Sequence, residues 1–190
     1  MAGIQQGLIG SLYGAVGDFE SIATQTVSGG ATNTVTFSSI PATYSHLQLR
    51  YILRTNRTDD YIDILGMTFN SDTASNYNNH LLNTENGGGV AAGYVASTSA
   101  RYHLLGATAL SNTNVFAAGV IDILDYANTN KYKTTRSING FSNNQTNHDW
   151  LGLESSLWRS TSAINRIDFT IVGGTYLTAL STFALYGIKG

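Results

Sequence analysis

Apolar and polar residues alternate along most of the chain after Asp18, with a period of two. This period is typical of β-strands that bury one face and expose the other. The segment 47–54 is the clearest case. Leu47, Leu49, Tyr51 and Leu53 lie on one side of it, and Gln48, Arg50, Ile52 and Arg54 lie on the other. Because only one side is apolar, the register of this strand should be well specified.

Similar runs recur along the chain and predict roughly eight to ten strands separated by turn signals. The turn signals include Ser28-Gly29-Gly30 and Gly173-Gly174, and the single proline, Pro41, falls in a connection. No window has a helical period, and no linker or internal repeat is visible. We therefore expect one all-β domain, an antiparallel β-sandwich of jelly-roll type. Nine runs are 22–27, 33–37, 47–54, 62–69, 115–124, 132–141, 150–158, 164–172 and 180–188, and the segments 94–95 and 101–105 are candidates for further short strands.

The segment 70–93 is the least regular part of the pattern. It is rich in Asn, Ser and Gly and contains the run 87–89 of three glycines. This composition predicts long loops around one short element. The Asn-rich segment 142–147 predicts a further loop.

The hydrophobic core is predicted from period-two positions in the clearest strands. These positions are apolar and should all point between the two sheets of the sandwich. The predicted core residues are Leu47, Leu49, Leu53, Val120, Phe169, Ile171, Phe183 and Leu185.

Composition narrows the class of protein. Hydrophobic residues make up 42% of the 190 residues, which excludes a disordered chain. Charged residues make up only 12% and the net charge is -2, so the clustered basic residues of a nucleic-acid-binding protein are missing. The chain has no cysteine, which excludes disulfides and thiolate metal sites.

The segment 1–17 is apolar, rich in glycine and free of charged residues. It lacks the basic residues that open a signal peptide, and it is shorter than the ~20 apolar residues of a membrane span. We expect residues 1–21 to be an extended arm for assembly or anchoring, and residues 22–190 to be the single domain. The apolar side chains that would make the arm's contacts are Ile4, Leu8, Ile9, Leu12 and Tyr13.

Candidate catalytic and metal-binding residues form no specific motif. The four histidines, His46, His80, His103 and His148, have no metal-ligand spacing. Asp59, Asp60 and Asp63 lack the pattern of a calcium loop and are better explained as a solvated turn with one carboxylate at a strand edge. A glycosidase would need two carboxylates across a cleft, and Asp122, Asp125, Asp149 and Glu154 are the candidates. No cofactor, metal site or catalytic residue is predicted, and we expect the protein not to be an enzyme.

Aromatic residues are abundant, with 11 tyrosines and two tryptophans. Loops that carry Tyr, Trp and Asn can stack on sugar rings and form hydrogen bonds with their hydroxyls. Such residues are also favoured in strands and in subunit interfaces. A carbohydrate-binding surface would be formed by Tyr77, Asn78, Asn79, Asn143, Asn144 and Trp150.

Several stretches of the chain resemble a known family. They are FSSIPATYSHLQL (37–49), GVIDILDYANTN (119–130) with the following segment 131–137, SSLWRSTSAI (155–164) and STFALYGIKG (181–190). Together they resemble structural proteins encoded by tailed bacteriophages, notably phages of aquatic bacteria. The resemblance covers most of residues 22–190 and implies a virion component, with no catalytic residues to carry over. The arm lies outside it.

The resemblance and the composition together predict a structural protein of the virion surface. It would serve as a capsid decoration protein, a head or neck fibre, or a tail fibre or adaptor. We expect a homo-oligomer, and by analogy with phage fibres a trimer, with other virion proteins bound through the arm. A carbohydrate-binding module that recognises a host-surface glycan is the alternative, and a glycan-degrading enzyme ranks last. No nucleic-acid partner and no membrane span are expected.

Overall fold

A computed structural model describes residues 18–85, 88–100, 105–143 and 148–190. Within these ranges the regular structure consists of strands alone, and every strand pair is antiparallel. This confirms the predicted all-β sandwich. The strands are β1 (Phe19–Thr26), β2 (Thr34–Phe37), β3 (His46–Leu53), β4 (Ile62–Phe69), β5 (Tyr77–Glu85), β6 (Gly88–Ser97), β7 (Leu105–Ala107), β8 (Ala117–Leu124), β9 (Lys133–Phe141), β10 (Trp150–Trp158), β11 (Ile167–Ile171) and β12 (Thr182–Ile188).

Eight of the strands form a jelly roll. In the larger sheet β1, β12, β3 and β8 are neighbours in that order, and β2, β11, β4 and β7 form the smaller sheet. In chain order these eight strands alternate between the two sheets except for β4 and β7, which are neighbours in the smaller sheet. This is the topology of two interleaved Greek keys. The side chains between the sheets form one continuous hydrophobic core.

Two hairpins are inserted into this jelly roll. The β5–β6 hairpin lies between β4 and β7 in the chain, and β9 and β10 lie between β8 and β11. Both hairpins join the larger sheet, which continues past β8 in the order β9, β10, β5, β6. We call these four strands the extension. They make the larger sheet twice as wide as the smaller one.

The predicted long loops in the segment 70–93 are wrong, because this segment forms most of the β5–β6 hairpin. Its polar residues are paired inside the protein. Tyr77 is fully buried, and its hydroxyl donates to the carbonyl of Asp72 and accepts the amide N–H of Phe69. The amide of Asn79 donates to the carbonyl of Ser99. These partners outside the strand stabilise an Asn-rich sequence that local propensity disfavours as a strand.

Seven of the eight predicted core residues are buried, and Val120 is the exception. In β8 it is Ile121 and Ile123 that point into the core, so Val120 lies on the opposite face of the sheet. The run 115–124 is apolar on both faces, and alternation alone could not show which face is buried.

The first strand begins earlier than the sequence indicated. Residues 19–21, which the prediction placed in the arm, pair with β12 from Phe19 onward. The arm's predicted contact residues, Ile4, Leu8, Ile9, Leu12 and Tyr13, lie outside the described residues.

Candidate interaction surface

The face of the larger sheet that points away from the smaller sheet is called here the outer face. On this face, side chains from neighbouring strands line up in rows because their residues are paired in register. Leu82 of β5 pairs with Leu153 of β10, which pairs with Ile138 of β9, which in turn pairs with Val120 of β8. The first three are 55%, 53% and 51% exposed. These four residues form the apolar row.

A second row runs beside the apolar row, two residues along each strand. It consists of His80, Ser155, Arg136, Asp122 and Gln48, each paired in register with the next, and we call it the polar row. Arg136 Nε donates to Asp122 Oδ2 at 3.1 Å, and Gln48 Nε2 donates to Asp122 Oδ1 at 2.9 Å. Because the one cation and the one anion are paired with each other, the row is close to neutral and attracts no charged ligand.

The two rows line a shallow groove with a volume of about 530 Å³. On the other side of the apolar row, Leu151 and Ile52 are each 51% exposed and add to the apolar area. Single exposed leucines are common on soluble proteins, but a contiguous set marks a surface that another molecule covers. The groove is therefore a candidate binding surface for a partner that is itself partly apolar and uncharged.

The inner face of the extension is polar and buried along the middle of β9 and β10. Glu154 points to this side, where Ser137 Oγ donates to its Oε2 at 3.3 Å. Burial raises the pKa of Glu154 to about 8, because a charged carboxylate is poorly solvated there. Asn79, Thr135 and Ser156 are buried on the same face, so the polar atoms pack against one another.

The four carboxylates considered for a glycosidase do not come together. Asp122 lies on the outer face, where it is paired in register with Arg136, whereas Glu154 is buried on the inner face of the same sheet against Ser137. Asp125 forms an ion pair with Lys131 in the turn after β8. Asp149 accepts the backbone N–H of Asn143.

The acidic cluster also has structural partners. Asp59 and Asp60 pair with Arg57, at 2.8 and 3.4 Å. Asp63 is fully buried and accepts the backbone N–H groups of Ile64, Gly173 and Gly174. The carboxylate of Asp63 therefore holds the β11–β12 turn against β4.

The histidines are dispersed over the fold. His46 Nδ1 accepts the backbone N–H of Asp125, and the ring of His148 stacks on Tyr61 with centroids 3.6 Å apart. His80 lies in the polar row, and His103 falls outside the described residues. No group of three or more potential metal ligands occurs in the part of the chain that the structure describes.

The six residues predicted to bind sugar are not brought together on one exposed surface. Tyr77, Asn79 and Asn143 are buried, Asn78 and Trp150 are partly buried, and Asn144 lies outside the described residues. Tyr77 and Trp150 also lie at opposite ends of the β5–β10 pair, about 26 Å apart at the usual strand rise. The apolar row and the polar row were not predicted from the sequence, because each row forms only when strands that are distant in the sequence pair in register.

In the ranges described, the structure contains no helix long and apolar enough to cross a membrane.

No protein-family model matches the chain, and no match is found among curated proteins. Among solved structures, the chain is similar to the carbohydrate recognition domain of Emp47p. That similarity has a TM-score of 0.32 and 7% sequence identity, and it covers 91% of this chain and 89% of the other.

Proposed function

We propose that this chain is a non-enzymatic structural protein of a tailed-phage virion surface, whose outer sheet face contacts a neighbouring virion protein. It would be a capsid decoration protein, a head or neck fibre, or a tail fibre or adaptor. The observation that carries the proposal is the exposed apolar row of Leu82, Leu153 and Ile138 beside a neutral polar row.

Burial of the apolar row would contribute to a contact with a neighbouring protein. Burying apolar surface contributes roughly 25 cal/mol per Å², so covering three half-exposed aliphatic side chains would stabilise an assembly by a few kcal/mol. The low share of charged residues, 12%, also favours a contact with another protein, since stable interfaces bury apolar rather than charged groups.

The arm of residues 1–17 supplies the anchor in this proposal. An uncharged, glycine-rich segment cannot bury enough surface by itself to offset its chain entropy. In a groove of another virion protein its apolar residues would be covered, and its glycines would permit close approach of the two backbones. Since β1 begins at Phe19, the domain contains its first strand without the arm.

A truncated chain of residues 18–190 tests the anchor. We expect it to unfold cooperatively, as the full chain does, and to lose attachment to virions that lack the protein. Attachment equal to that of the full-length chain would show that the arm is not the anchor.

A substitution on the apolar row tests the outer face separately. Leu153→Asn should weaken attachment at least tenfold while leaving the unfolding midpoint nearly unchanged, because the side chain already lies half in water. Val172→Asn is the matched control, an apolar residue that is 50% exposed outside the groove. Equal attachment by both variants would rule out the outer face as a contact.

A carbohydrate-binding module for host-surface recognition is the second candidate, and the groove is the observation that favours it. His80, Ser155 and Gln48 offer uncharged hydrogen-bonding groups next to aliphatic side chains, a combination that suits a sugar. Binding on a glycan array that is lost in His80→Ala would support this candidate. No binding to any glycan would leave the protein contact as the function of the groove.

A further inference from the structure

The strand at the free edge of the extension is unusual. β6 has ten residues, more than any other strand in the described ranges, and its sequence GGVAAGYVAS contains no charged residue and no proline. Its inner edge pairs with β5, and no described strand pairs with its outer edge. A long, uncharged edge strand is a ready template for another strand, because one row of its N–H and C=O groups is unpaired.

The other three sheet edges have features that oppose such pairing. At the opposite edge of the same sheet, β1 has a bulge between Ser21 and Ala23, and its Glu20 forms an ion pair with Lys189. The edge strands of the smaller sheet, β2 and β7, have only four and three residues. Short strands, bulges and charges are the usual protections of an edge. β6 has a bulge only near its end, at Val95 and Ala96, and its first seven residues, 88–94, pair with β5 without interruption and carry no charge.

We propose that β6 pairs antiparallel with β6 of a second copy of this chain, about a two-fold axis that joins the two larger sheets into one. The pairing is independent of the virion role, since it concerns how two copies of the chain assemble with each other.

A second copy suits this edge better than an unrelated strand. Antiparallel pairing of identical strands is self-complementary, so each residue meets its partner in both directions. No like charges would face each other across the joint, because β6 carries none. The pairing would also cover Val95, which is 75% exposed, and Tyr94, which is 40% exposed.

The symmetry of this pairing has two consequences. A two-fold axis normal to the sheet turns both outer faces to the same side, so the two apolar rows would form one broad surface. It also gives an even number of copies, whereas the trimer expected from phage fibres would need a different, head-to-tail contact.

Cysteine cross-linking tests the pairing directly, because the chain has no cysteine of its own. Single substitutions Ala91→Cys, Ala92→Cys, Tyr94→Cys and Val95→Cys would be made in the full chain and oxidised. Directly opposed residues of antiparallel strands have Cα atoms about 4.5–5.5 Å apart, within the range of a disulfide. Ser21→Cys, on the exposed part of the opposite edge, is the control.

The expected result is a disulfide-linked dimer at one or two neighbouring positions of β6, falling off at the others and absent in the Ser21 variant. This dependence on position is expected because, in an antiparallel pair of identical strands, only residues near the two-fold axis lie opposite the same residue of the second chain. No cross-linked dimer at any of the four positions would overturn the proposal, and so would equal cross-linking at Ser21.

Light scattering provides a second measurement without oxidation. The wild-type chain should have twice its monomer mass, and Val95→Lys should raise the dimer dissociation constant at least tenfold. The unfolding midpoint, measured at a concentration low enough for both chains to be monomers, should be unchanged. Ser21→Lys is the matched control and should leave the dimer unchanged. A wild-type monomer at high concentration, or a trimer that Val95→Lys leaves intact, would contradict β6 pairing. Neither result would affect attachment to virions, which the truncated chain tests.

Discussion

Replacing Glu154 by glutamine should remove most of the pH dependence of stability. Glu154 lies on the buried inner face of the extension, where burial raises the pKa of its carboxyl to about 8 from an ordinary value of 4.5. The folded protein therefore keeps a proton on Glu154 between these two pH values, whereas the unfolded chain releases it. Since the folded state binds more protons, the free energy of unfolding should fall as the pH rises through this window.

The size of the effect follows from the two pKa values. Each unit of difference corresponds to about 1.4 kcal/mol, so the loss between pH 4.5 and pH 8 has an upper limit of about 5 kcal/mol. Relaxation of the neighbouring Ser137 and Asn139 around the charged carboxylate would reduce this figure. A loss of about 2–5 kcal/mol is the expected range.

Urea unfolding at pH 5, 7 and 9, at one protein concentration, measures this loss. The wild-type chain should be most stable at pH 5 and least stable at pH 9, and Glu154→Gln should be nearly as stable at pH 9 as at pH 5. Asp122→Asn is the control, because it removes a carboxylate from the outer face of the same sheet and should keep the wild-type slope. Equal wild-type stability at pH 5 and pH 9, or an unchanged slope in Glu154→Gln, would refute the reasoning.

Two further predictions concern the core and the buried carboxylate of Asp63. Phe169→Ala should lower the free energy of unfolding by about 3–5 kcal/mol, because its ring is fully buried. Ile52→Ala, at a half-exposed site, should lower it by less than about 1 kcal/mol. Similar losses in the two variants would contradict the assignment of Phe169 to the buried face and Ile52 to the exposed face. Asp63→Ala should lower the free energy of unfolding by at least about 3 kcal/mol, since it leaves three backbone N–H groups without their acceptor. Asp59→Ala, in the exposed turn, should lower it by less than about 0.5 kcal/mol. Both pairs are measured by urea unfolding, and an equal loss in the two aspartate variants would show that Asp63 is not a structural support.

The alternation of residues was enough to predict the strands whose two faces differ in polarity. In β3 the buried residues Leu47, Leu49 and Leu53 alternate with more exposed ones, so strand and register follow from local sequence alone. In β8 both faces are apolar, and only the contact with the smaller sheet decides that Ile121 rather than Val120 is buried. The misplacement of Val120 therefore reflects information that the local pattern does not contain.

The extension and its surface could not be predicted from composition. β5 has the Asn-rich sequence of a loop, but its position between β10 and β6 supplies the hydrogen bonds that hold it as a strand. The apolar row joins residues far apart in the sequence, such as Leu82 and Leu153, whose proximity depends on strand pairing. The residues predicted to bind sugar do not form one surface, because residue type alone does not indicate which side of the sheet each residue faces.

The location of the protein in an intact virion tests its proposed role most directly. A cryo-electron microscopy map of the virions in which the proposal places this protein should show the two-sheet domain on the outer surface. The outer sheet face should lie against a neighbouring protein, and density should lead from Phe19 into the structure beneath. Absence of the domain from the map, together with absence of the protein from purified virions, would contradict the proposal that it is a virion component.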